Sequence, residues 1–145
     1  MVSVTWPRCL ANDPLLFFSM PFIGKVARFK RSVKRELRNR SRVEWLESWK
    51  DCGITWRETA LFLRIIVHLS YIYWPNEHVG PDDVASVIMG YVGDSEMDDE
   101  DVLWPLLRMY GISTDSHAAE LIEEAVFHDH CSIRSLWELI YANWD

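Results

Sequence analysis

Cysteine is scarce and unpaired in this chain. Cys9, Cys52 and Cys131 are three in number, and no CxxC spacing joins any two of them. The pattern argues against a disulfide framework or a thiolate zinc site and predicts a reducing compartment. Long apolar runs are missing as well. The run Leu15–Gly24 is broken by Pro21, and its positive charges follow it, unlike those of a secretory leader. Ala60–Trp74 is too short for a membrane span and contains Arg64 and His68. Both features point to a cytoplasmic protein. No G-x-S-x-G, glycine-rich phosphate loop or H-E-x-x-H occurs, so no catalytic set is assigned and an enzyme is the minority reading. His128-Asp129-His130-Cys131 has metal-capable side chains, but four consecutive positions rarely converge on one ion, and no metal site is expected there. Strand-like alternation, internal repeats and low-complexity tracts are absent, which leaves an all-α chain.

What is present is size, tryptophan and an uneven charge distribution. The 145 residues suffice for one domain with a buried core, with or without an appendage. Eight tryptophans suit grooves or interfaces in part, with core filling the blander use for most. The formal net charge of -7 conceals two opposed parts. Residues 1–42 hold ten Lys/Arg against Asp13 and Glu36, a net of +8. Residues 43–145 hold five Lys/Arg against twenty Asp/Glu, a net of -15. The expected organisation is therefore a basic, partly apolar segment 1–42 and an acidic helical bundle 43–145. A basic segment of this kind meets an anionic surface, whether lipid, nucleic acid or the protein's own acidic part.

From Lys25 to Arg42 the spacing predicts a cationic amphipathic helix. Val26, Phe29, Val33 and Leu37 form its stripe, and Arg28, Lys30, Arg31, Lys34, Arg35 and Arg38 lie elsewhere on the wheel. Those six cations are the candidate contacts to an anionic membrane surface. Nucleic acid is the weaker alternative, because nothing beyond charge suggests base reading. The equally weighted alternative packs the stripe on the main domain. Val43–Cys52 continues helically to Gly53. Thr55-Trp56-Arg57-Glu58 reads as a capping box opening a buried central helix through Tyr73. Pro81-Asp82-Asp83 reads as the start of another helix, which ends by Gly93. Pro105 is expected to kink or shorten the next one. Ser113–Ser116 and Ser132 are read as caps of two last helices, over about 117–127 and 133–143.

The stretch Asp94–Asp101 carries six carboxylates in eight residues and leads into an apolar helix that closes at Tyr110-Gly111-Ile112. Ser95 with Asp98 has the spacing of a helix cap, and Gly111 that of a left-handed C-terminal residue. A calcium loop would need a central glycine that is not there. Asp94, Asp98, Asp99, Glu100 and Asp101 are accordingly the candidate contacts to a basic protein partner.

With those residues in view, the part of the chain from Thr55 to Trp144 resembles the acyl-carrier-protein type of four-helix bundle. The resemblance rests on Gly93-Asp94-Ser95, on the Tyr110-Gly111-Ile112 close and on Ser132-Ile133-Arg134-Ser135-Leu136 at the last helix. More narrowly, Asp98-Asp99 ahead of Leu103, Leu106 and Tyr110, with the ending through Ala142 and Trp144, is similar to an uncharacterised enterobacterial family. That family is thought to share the carrier fold while often lacking the modified serine. The resemblance implies that Ser95 could hold a phosphopantetheine arm. Departures are plain: Glu96 and Met97 follow Ser95 where carriers have leucine, Pro105 is foreign to the second helix, and residues 1–42 have no carrier counterpart. The function expected is a non-enzymatic carrier-like or adaptor protein presenting its acidic loop and helix. A genuine carrier modified at Ser95 and a peripheral membrane protein are the two alternatives. Oligomeric state is not legible.

Overall fold

A computed structural model describes residues 2–5, 20–91 and 101–144. Among these residues the chain is all-helical, with seven helices: α1 (Met20–Asn39), α2 (Arg42–Ser48), α3 (Trp56–Leu69), α4 (Ala85–Met89), α5 (Leu103–Met109), α6 (His117–Phe127) and α7 (Ile133–Ala142). The sole β-type pairing among them is an isolated antiparallel bridge between Val84 and Ser132. Helix α3 is the centre, packing against α4 and α5, while α6 packs against α7 and α4.

The stripe of α1 is turned into the protein: Val26, Val33 and Leu37 are buried and Phe29 is half-buried in the same hydrophobic cluster as α3 to α7. Ser41 breaks α1 from α2, accepting the Glu44 N–H on its side chain at 3.1 Å and capping the new helix. Ser116 and Ser132 cap α6 and α7 in the same way, through the N–H groups of Ala119 and Ser135, as their sequence positions predict. Helix α5 closes on Gly111 at φ +70°. The Ile112 N–H reaches the Leu107 carbonyl at 3.0 Å and the Gly111 N–H the Arg108 carbonyl at 3.1 Å, a Schellman close.

Several local expectations are corrected. Thr55 occupies the N-cap position of α3, but its side chain makes no capping hydrogen bond. That helix stops at Leu69, not Tyr73, because Ser70 turns extended (ψ 142°) and the Tyr71 N–H leaves for the Met89 carbonyl. Pro105 falls in the first turn of the short helix α5, where a helix has no use for its N–H. Pro81-Asp82-Asp83 form a turn ahead of α4, which begins only at Ala85. Helix α4 then ends three residues before Gly93, at Gly90 (φ +93°), where an added Cβ would stand 3.0 Å from the Cβ of Tyr71.

Tryptophan serves the core here. Trp45, Trp49, Trp74 and Trp137 are buried, and each indole N–H is donated. Trp45 and Trp49 share the Val79 carbonyl, each at 2.9 Å, Trp74 reaches the Ile88 carbonyl, and Trp137 the Thr59 hydroxyl. Large apolar bodies with one satisfied polar tip suit such a core.

Candidate functional site

Asp94, Ser95, Asp98, Asp99 and Glu100 lie outside the described residues, so the carrier attachment point and most of the acidic contact set have no geometry. Asp101 is described, exposed in the turn before α5. What the structure does give is the frame around this stretch. Tyr91 packs its ring edge-on against Phe127 of α6, with centroids 4.8 Å apart. Its hydroxyl accepts hydrogen bonds from the N–H groups of Val102 and Leu103, at 3.2 and 3.1 Å. Val102, Leu103, Leu106 and Leu107 are buried behind it. The residues flanking the acidic stretch are thus tied to each other and to the core.

Helix α5 starts at Leu103 with Val102 at its N-cap and no capping bond from that residue's side chain; the cap expected of Ser95 lies outside the described residues. The open N–H donors at a helix start need some acceptor, and Tyr91 supplies it across the fold.

The densest polar arrangement among the described residues is elsewhere. Arg40 and Asp83 form a buried ion pair, each side chain 1% exposed, with Nη1–Oδ2 at 2.6 Å and Nη2–Oδ1 at 2.8 Å. The Asp83 carboxylate also accepts the N–H groups of Val4 and Gly80, both at 2.7 Å. Arg40 donates further to the carbonyls of His78 and Val2 and, at 3.4 Å, to Glu36. Burial alone would lower the pKa of the guanidinium, but the Asp83 hydrogen bond and charge outweigh it, and the net shift is upward. The Asp83 carbonyl accepts from Ile133 N, which starts α7. One ion pair therefore links residues 2–4, the end of α1, the 78–83 turn and α7, across the 42/43 point where composition changes. The sequence reading missed it. Its signal was phase: Arg40 follows Val33 and Leu37 at helical spacing, so it continues the inward stripe.

Of the six cations of α1, the four arginines take the opposite side. Arg28, Arg31, Arg35 and Arg38 are exposed, and Lys30 and Lys34 are half-buried. Arg64 of α3 finds an acidic neighbour, Glu77, at 3.2 Å.

In the His128–Cys131 break, His130 adopts φ +47° and burial pushes its pKa down, with His128 adding to the effect. Burial pushes the Cys131 thiol up to about 11, the nearby Asp129 charge adding to it. This is the wrong direction for a nucleophile. Below its pKa a thiol's thiolate fraction falls tenfold per pH unit, so a shift from an ordinary 9.0 to about 11 leaves roughly 100-fold less thiolate at neutral pH. Iodoacetamide alkylation of Cys131, followed by peptide mass mapping, should accordingly be slower than that of a free thiol by about that factor. The rate should rise with pH up to about 11. Among the described residues no group of three or more His, Cys, Asp or Glu is placed to hold a metal ion. Likewise, no described helix is long and apolar enough to cross a membrane.

Comparison of the chain with protein-family models, with curated proteins and with solved structures gives no match.

Proposed function

We propose that the chain is a non-enzymatic, carrier-like adaptor that presents the acidic stretch Asp94–Asp101 to a basic protein partner. The observation that supports this reading is the clamp at the ends of the stretch. Tyr91 holds Val102 and Leu103 by two hydrogen bonds, with Phe127 and the core behind them. A run of six carboxylates in eight residues between tied ends concentrates negative charge along a short length of chain, and such charge speeds and orients the approach of a basic partner.

Lys/Arg-rich capture is tested by Asp98→Lys with Asp101→Lys. Binding to the partner at low salt should weaken roughly tenfold or more, chiefly through a slower on-rate, while circular dichroism stays native. Retained capture with a native spectrum would sink the reading. Intact mass after exposure to a broad-range phosphopantetheinyl transferase addresses the carrier alternative, since an arm on Ser95 would make this a working carrier. For the membrane alternative, α1 has Val26, Val33 and Leu37 in the core, so a lipid contact through this part of the helix would rest on its exposed charges.

A further inference from the structure

Arg31, Arg35 and Arg38 follow one another by four and three residues, so they lie in a line along the outer side of α1 over about 10 Å. Lys34 flanks the line. Glu36, the acid nearest in sequence, lies toward the other side and is engaged by Arg40. Nothing on α1 itself neutralises this face.

Helix α6 carries a matching feature. Glu120, Glu123 and Glu124 recur at three- and four-residue steps, and with Phe127 and His128 they line an open depression on the surface. Glu120 and Glu124 are exposed, and Glu120 lies 3.7 Å from the exposed His117 Nδ1. A concave site lined by carboxylates and an aromatic ring suits a guanidinium, which takes carboxylate through its planar fork and a ring through its face. The two faces also share a pitch: Arg31/Arg35 and Glu120/Glu124 are both one helical turn apart.

We propose that the arginine face of α1 docks against the glutamate-lined depression of α6 on a second copy of this chain. Both faces are exposed within one copy, so the contact is made between copies. It joins unlike surfaces, so it runs head to tail and each copy keeps one free face of either kind. The contact is electrostatic, extends with a Debye length of about 30 Å at ~0.01 M salt and collapses near ~1 M. It does not depend on the reading of the 94–101 stretch.

Sedimentation velocity over a concentration series tests it. The wild-type mass average should rise with concentration at low salt and return to that of one chain at high salt. Arg31→Glu with Arg35→Glu should remove the rise, and so should Glu120→Lys with Glu124→Lys. The fourfold variant keeps the net charge of -7 and should restore association. Arg31→Gln with Arg35→Gln repeats the first arm if the reversal disturbs the circular dichroism. A wild-type chain that stays monomeric at low salt overturns the proposal, as does a fourfold variant that fails to reassociate. Arginine-dependent flotation with anionic vesicles by a chain that remains monomeric would also overturn it and assign the face to lipid.

Discussion

Asp83→Ala is expected to lower the unfolding free energy by about 3–5 kcal/mol, the range found when one partner of a buried ion pair is removed. The size follows from what remains. Arg40, 1% exposed, would keep its charge with only backbone carbonyls and Glu36 to face, and the N–H groups of Val4 and Gly80 would lose their acceptor. In a chain of this length each kcal/mol moves the melting midpoint by about 2–4 °C, so thermal unfolding by circular dichroism reads the effect directly. Asp82→Ala, one residue away and exposed, should stay within about 0.5 kcal/mol. Arg40→Met with Asp83→Leu should recover part of the loss, because no lone charge is left buried. Recovery stays incomplete, since Val4 N and Gly80 N remain without an acceptor. If Asp83→Ala matched the Asp82 control, the ion pair would not be a hub of this fold.

That hub explains which parts of the structure were legible in the sequence. Caps that act locally were readable: Ser116 and Ser132 bond N–H groups three residues on, and Gly111 supplies the left-handed close its position demands. The inward stripe of α1 was readable as well, because burial repeats at helical spacing. Contacts settled by distant partners were not. Nothing near Pro81-Asp82-Asp83 tells which carboxylate is buried, and a start of helix was the local answer. Asp83 turns inward because Arg40, 43 residues earlier, meets it there. The same holds at α5, where the N–H groups of Val102 and Leu103 take as their acceptor the Tyr91 hydroxyl, 11 and 12 residues away in sequence. For the acidic stretch, sequence supplies the charges and the structure supplies the frame around them.

Trp137→Ala carries the second large effect, about 3–5 kcal/mol, through a cavity at the point where α3 and α7 meet. Trp137 is fully buried, stacked on Phe62 with centroids 4.5 Å apart and planes 13° apart, and edge-on to Tyr110 at 5.6 Å. The informative variant is Trp137→Phe. It retains an aromatic partner for Phe62 but removes the N–H given to the buried Thr59 hydroxyl at 3.0 Å. Volume loss and an unserved polar atom then both contribute, and a second substitution separates them. A hydroxyl left without its donor costs about 1–3 kcal/mol, whereas removing both partners can be nearly neutral. Thr59→Val in the Trp137→Phe background should therefore cost less than Thr59→Val in the wild type. Equal costs in the two backgrounds, measured by urea unfolding with unchanged slopes, would place the whole effect in packing. The hydrogen bond would then orient the indole without adding to stability.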